Sequence, residues 1–238
     1  MAQDVCQDWV ISLPAMHGLM NILEGESNQA ENVMTRVWVA SLGAFAVIGF
    51  CGSFRGSEVL LSDLYGLRKF LEDTEKSGRD HVVMPLLGWF KGEQNTCYHL
   101  SFMASVTSLG IHIKRWVEQL VRVQEQEGRT HGPAFCDRAG EIARAFEYEV
   151  GFIERLLEVQ ASDPEAISPE VDIHGQFGVS QSFRRGVTSV VRTRCIQLIN
   201  RWRTVEKARG RKPSLPMHEH YLDVSILVPE MIKFSLGL

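Results

Sequence analysis

Residues 37–59 read VWVASLGAFAVIGFCGSFRGSEV. The stretch 37–51 carries no charge, and it is shorter than the ~20 apolar residues of a membrane helix. A helix without a polar face belongs at the centre of a domain. One buried helix is therefore expected over 28–50, ended at the glycine-containing break 51–53. Directly after it comes Arg55, with Glu58 three positions on. On a helical turn that spacing puts both side chains on one face, where Glu58 can hold or orient Arg55. The plain alternative is a surface ion pair.

Outward from this centre, residues 1–25 are mixed in character, and Pro14 is expected to break any single helix there. After Arg55 comes a short helix or turn over 54–67, then a charged loop or surface helix over 69–80. HVVMPLLGWF (81–90) and TCYHLSFMA (96–104) are β-like runs separated by KGEQN, a hairpin signal. The periodicity predicts an amphipathic helix over 109–126, with Ile113, Trp116, Val117, Leu120 and Val121 on its apolar face. A second is predicted over 137–160, through Ile142, Phe146, Val150, Ile153, Leu156 and Leu157. Ser180 can cap a further helix that carries Arg184, Arg185, Arg192 and Arg194. A last helical segment over 218–238 is interrupted by Pro229. The fold class is mainly α (α+β), helical with one small antiparallel sheet.

The chain has 238 residues, 45% of them hydrophobic. That suits one domain, or one with a small appendage. Its five cysteines are scattered without a Cys-x-x-Cys pair, so neither a zinc knuckle nor a disulfide framework is signalled. Free cysteines fit a reducing compartment. The first residues, MAQDVCQDWV, lack the basic start and apolar run of a secretion signal. The histidines His17, His81, His99, His112, His131 and His174 show no metal spacing. Net charge is −4, but it is unevenly spread. Between Arg184 and Lys212 stand ten Lys or Arg and one acid, Glu206, while the rest of the chain holds 15 basic and 28 acidic residues. Such segregation points to a polyanion site on one face. A basic solvated helix would have the same composition.

Three further segments carry candidate chemistry. Lys91, in GWFKGE, lies at the tip of the expected hairpin, where it could reach into a groove or be an ordinary turn lysine. In QSFRRG, Gln181 lies three before Arg184 and shares its helical face. An arginine fork matches two phosphate oxygens at once, although an exposed basic helix reads the same way. In NRWR and HEHY, Trp202 and Tyr221 flank a Gly/Pro-containing loop. Of the four tyrosines, Tyr65 lies among leucines, Tyr98 in a strand run and Tyr148 on an acidic helix. Only Tyr221 follows the basic segment. A half-buried packing tyrosine is its plain alternative.

The order of these pieces resembles the catalytic domain of the tyrosine recombinases, the phage-integrase family. The pieces are Arg-x-Ser-Glu, a hairpin lysine, Arg-Arg-Gly, a tryptophan, then His-Tyr near the C-terminus. GWFKGE, FGVSQSFRRG, NRWRTVEKARGRKP and HEHY look closest to recombinases of eukaryotic mobile elements, of the Crypton and DIRS kind. The resemblance runs from about residue 35 to the end. It implies a lead segment over 1–34 and a catalytic domain over 35–238, without the N-terminal DNA-clamping domain that family members carry.

The resemblance also implies the chemistry. Tyr221 would attack a phosphodiester, leaving a 3′-phosphotyrosine and a free 5′-hydroxyl. Arg55 and Arg184 would neutralise the charge that develops on the phosphate, and Glu58 would support Arg55. Lys91 would protonate the leaving oxygen. Trp202 would support the phosphate through its indole N–H. No metal, ATP or other cofactor is expected. DNA contacts are expected from Arg185, Arg192, Arg194, Arg201, Arg203, Lys207, Arg209, Arg211 and Lys212. The partners implied are double-stranded DNA and a four-protomer complex on it, with no membrane. The place implied is the nucleus, or the cytoplasm of a prokaryote. Gln181 departs from the family pattern, which has histidine or lysine there. An amide can hydrogen-bond a phosphate but cannot shuttle a proton. Trp202 and Tyr221 stand 19 positions apart, a longer interval than the family pattern, with RTVEKARGRKP as the insertion. Two other functions fit parts of the sequence: a DNA-binding remnant that has lost catalysis, and a helical protein-interaction module.

Overall fold

The computed structural model describes residues 9–78, 80–87, 98–107, 109–137, 139–187 and 189–190. Among these the chain is mostly helical, with one two-stranded antiparallel sheet. Helix α1 (Leu13–Gln29) and helix α2 (Val33–Cys51) are separate. The break at 30–32 ends with Asn32, whose side chain accepts the Thr35 N–H and caps α2. The single helix expected over 28–50 thus starts later. Pro14, expected to break a helix, instead lies in the first turn of α1. There its missing N–H costs nothing and its fixed φ suits the helix. Ser12 caps that turn by accepting the Ala15 N–H.

Every residue of α2 from 39 to 51 is buried. Helices α1, α5 (Ile113–Gln126) and α6 (Ala145–Ser162) all pack on it. Glycines make the closest approaches possible. A Cβ on Gly43 would lie 2.0 Å from the Trp116 ring of α5, and one on Gly151 of α6 would lie 2.8 Å from Trp38. Helix α1, set apart in the sequence as a lead segment, belongs to the same core. Ile11, Ala15, Met16, Leu19 and Leu23 are fully buried in it. The division at residue 34 is not a boundary of the core.

Helix α3 (Gly56–Val59) follows the break after α2, and helix α4 (Leu64–Ser77) follows α3. Strands β1 (His81–Leu87) and β2 (Tyr98–Ala104) pair antiparallel, with Val83 opposite Phe102 and Leu87 opposite Tyr98. The hairpin strands expected from the sequence are present. Pro85 has no N–H to give the ladder, but its carbonyl accepts the Asp63 N–H at 3.1 Å. The hairpin is thereby tied to the junction of α3 and α4. Gly66 packs against the same proline.

Helix α5 buries the expected face: Ile113, Trp116, Val117, Leu120 and Val121. Helix α6 does not. It begins at Ala145 rather than 137, and it buries Tyr148, Gly151, Phe152, Leu156 and Val159. Of the stripe expected inside, Ile142, Phe146 and Val150 are exposed. Tyr148 stacks on Phe45 at 4.8 Å, and Phe152 lies 5.6 Å from it, so these rings hold α6 to α2. Helix α7 (Ile173–Gln176) leads through Phe177 to a turn and then to helical residues 182–187.

Candidate nucleic-acid interface

Arg55 is set by the way α2 ends. Gly52 closes the helix with its N–H on the Ile48 carbonyl, and Ser53 turns the chain at φ 55°, a left-handed conformation. Arg55 then becomes the N-cap of α3 in extended backbone. Glu58 holds it twice. One carboxylate oxygen accepts the Arg55 backbone N–H at 2.8 Å, and the other faces the guanidinium at 3.4 Å. The backbone bond is the firmer of the two, because it satisfies an orphan donor of the helix start. The side chains of Arg55 and Glu58 are 28% and 17% exposed. The arginine is thus anchored at its base and still reaches solvent.

The second arginine segment is built from the core outward. Phe183 is fully buried, 4.9 Å from Phe152 and 5.7 Å from Phe177. Aromatic pairs of this kind are worth ~0.5–1.5 kcal/mol beyond the area they bury. With Phe183 and Val187 pointing inward, Gln181, Arg184 and Arg185 stay partly exposed. Ser182, rather than Ser180, ties the turn, because its hydroxyl accepts the Gly178 N–H at 3.1 Å. The glycine of the Arg-Arg-Gly motif has a steric reason. A Cβ on Gly186 would lie 2.6 Å from the Ile11 carbonyl oxygen and 2.7 Å from the Phe50 ring. The 182–187 helix is therefore seated on the end of α2.

These two segments, far apart in sequence, pack against each other. A Cβ on Gly56 would lie 3.0 Å from the Val179 carbonyl oxygen, and one on Gly49 would lie 3.6 Å from the Phe183 Cβ. The Arg55 turn and the turn that starts the Arg184 helix thus share the C-terminal end of α2. The root of the hairpin is fastened just beyond, at Asp63.

The chain matches no family model, no curated protein and no solved structure.

Lys91, Trp202 and Tyr221 lie outside the described residues, as do Arg192, Arg194, Arg201, Arg203, Lys207, Arg209, Arg211 and Lys212. Among the described residues, two nucleophilic side chains are removed from contention by burial. Cys51 ends α2 fully enclosed, and burial pushes its thiol up, so it stays protonated. Tyr148 lies within the aromatic cluster, and burial likewise raises its hydroxyl, a shift that a hydrogen bond with Ser41 partly offsets. Tyr65, by contrast, is exposed. Among the described residues no group of His, Cys, Asp or Glu is arranged to hold a metal ion. A cleft of about 330 Å³ opens between α1 and the start of α5. Three of its polar groups engage their surroundings: Arg115 pairs with Glu24 at 2.7 Å, and His17 bonds the Leu109 carbonyl at 2.9 Å.

Sequence reasoning missed one contact at the site. Glu149 of α6 accepts the Val179 N–H at 3.0 Å. Nothing local marks this glutamate, because its partner stands 30 residues away and is a backbone group.

Proposed function

We propose that this chain is the catalytic domain of a DNA strand-exchange enzyme of the tyrosine recombinase kind. One observation carries the reading furthest. The Arg55 turn and the Gln181–Arg184 turn, motifs of opposite halves of the chain, pack on one end of α2. Two guanidinium forks on adjoining segments suit a single phosphate, and the fastening of the hairpin root at Asp63 suits a lysine delivered from its tip. The basic run 184–212 supplies the polyanion surface.

In this reading the Tyr221 oxygen attacks the phosphorus and releases its proton as the new ester forms. The bond to the 5′-oxygen breaks, and Lys91 gives that oxygen a proton. Arg55 and Arg184 neutralise the phosphate as its charge grows, and Glu58 holds Arg55 in place. Attack by another strand's 5′-hydroxyl reverses the step, so the phosphodiester is rebuilt without ATP. The exchange joins two duplexes in a four-protomer complex, and the nucleus is the compartment that suits it. The second reading, a DNA-binding remnant without turnover, is favoured by Gln181, which cannot shuttle a proton.

The test is a pool of nicked duplexes with randomised sequence around the nick, from which covalently attached DNA is recovered. Wild type should yield an adduct mapped to Tyr221, lost in Tyr221→Phe and kept in Tyr65→Phe. Arg55→Ala and Arg184→Ala should each slow adduct formation by about 10²–10³-fold. DNA affinity with a steep salt slope but no adduct supports the remnant. No adduct and no salt-dependent binding ends both readings.

A further inference from the structure

We propose that Glu149 is a positioning residue that registers the Gln181–Arg184 segment against the Arg55 turn. The proposal rests on the recombinase reading for what the two arginines grip, but not for the bridge itself. Val179, buried and two residues before Gln181, is hydrogen-bonded through its N–H and closely packed at its carbonyl. On one side its N–H donates to the Glu149 carboxylate at 3.0 Å. On the other its carbonyl abuts α3 at Gly56, where even a Cβ would come within 3.0 Å. Helix α6, the Val179 peptide and the start of the Arg55 helix therefore form one chain of contacts.

The turn that follows is stiff. Gly178 accepts the N–H groups of Gln181 and Ser182 at 3.0 and 2.8 Å, and Ser182 returns a bond to the Gly178 N–H. A shift at Val179 is thus passed on to Arg184 rather than absorbed. Glu149 is itself seated, because α6 is fixed by the Tyr148 and Phe152 rings on either side of it along the chain. A carboxylate accepting a backbone N–H is a charge-assisted bond, stronger than a neutral one. An amide at the same position keeps an acceptor oxygen, whereas alanine does not.

Two measurements on the full chain test this, both by NMR, with thermal melting to verify folding. The first is hydrogen exchange at the Val179 amide. It should quicken by about tenfold or more in Glu149→Ala and stay within about threefold of wild type in Glu149→Gln. The second is titration with inorganic phosphate, followed at the side-chain N–H signals of Arg55 and Arg184. Its affinity should fall by about tenfold in Glu149→Ala and recover in Glu149→Gln. Gly56→Ala, which presses on the Val179 carbonyl from the other side, should weaken phosphate while leaving the Glu149 bond in place. It also serves if Glu149→Ala does not fold. Unchanged exchange at Val179, or an unchanged phosphate affinity in Glu149→Ala, overturns the proposal. Absence of any phosphate response in wild type, with exchange still governed by Glu149, overturns the recombinase reading and leaves the bridge standing.

Discussion

Helices α5 and α6 pack on the same central helix, yet their sequences are legible to different degrees. In α5 the charges and the apolar residues separate cleanly. Lys114, Arg115, Glu118 and Glu125 leave one apolar face, and that face is the buried one. In α6 apolar residues occupy two faces, one through Phe146 and Val150 and the other through Tyr148 and Phe152. Residues two apart in a helix differ by about 200° around its axis, so only one pair can enter the core. Tyr148 and Phe152 enter, because Phe45 and Phe183 offer them rings. The difference teaches that periodicity locates a helix, while the partner across the interface selects its face.

The sharpest way to break this comparison is to truncate the buried ring on each helix. Phe152→Ala and Trp116→Ala should each cost about 3–5 kcal/mol in denaturant unfolding, as large rings removed from a packed core do. Both are fully or almost fully buried. A loss at Phe152 much smaller than at Trp116 would mean that α6 is held less firmly than its rings imply.

A smaller effect separates the helices by pH. The buried face of α5 carries no titratable group, whereas α6 buries Tyr148. Burial raises that hydroxyl above its ordinary value, and the charge of Glu147 adds to the shift. The unfolded chain then loses its proton first, at about pH 10. The stability is fully present below about pH 10 and is lost above it, by up to about 1.4 kcal/mol per pH unit. Cys51, raised in the same way, adds a loss of the same sign from about pH 8.5. Urea unfolding as a function of pH should show a shallower alkaline decline in Tyr148→Phe than in wild type. Equal slopes would show that Tyr148 does not stay neutral in the fold.

Much of the fold was legible for the same reasons that α5 was. The all-round apolarity of 37–51 reported a central helix, and two β-like runs on either side of KGEQN reported the paired strands. The spacing of Arg55 and Glu58 reported a local contact that the backbone bond at 2.8 Å makes concrete. What escaped was set by distant partners. Pro14 is the exception, for its signal was local: Ser12, two positions before it, caps the helix by accepting the Ala15 N–H. Gly186 looked like a motif letter and Gly56 like the open position of Arg-x-Ser-Glu, and their reasons are the Ile11 carbonyl and the Val179 carbonyl. Glu149 was indistinguishable from Glu147 or Glu154 until Val179 was placed against it. One local signal on α6 did point the right way. Glu147, Glu154 and Glu158 recur at helical spacing on the outer face, and Val150 lies among them.

The smallest expected effect is the most informative about that outer face. Phe146 is 70% exposed, on a different face of α6 from Phe152, which is 0% exposed. Phe146→Ser should therefore change stability by no more than about 0.5 kcal/mol, as ordinary surface substitutions do. The same element, the same residue type and six positions of separation would then differ several-fold in cost. The ring's surroundings distinguish the two sites, since helix propensity hardly changes from Phe to Ser and favours the alanine by only about 0.5 kcal/mol. A loss of about 2 kcal/mol or more at Phe146, measured by the same unfolding curve, would mean that the ring is covered in solution. The two faces of α6 would then both be working surfaces, and the contrast with α5 would be one of how many partners a helix has rather than of which face it buries.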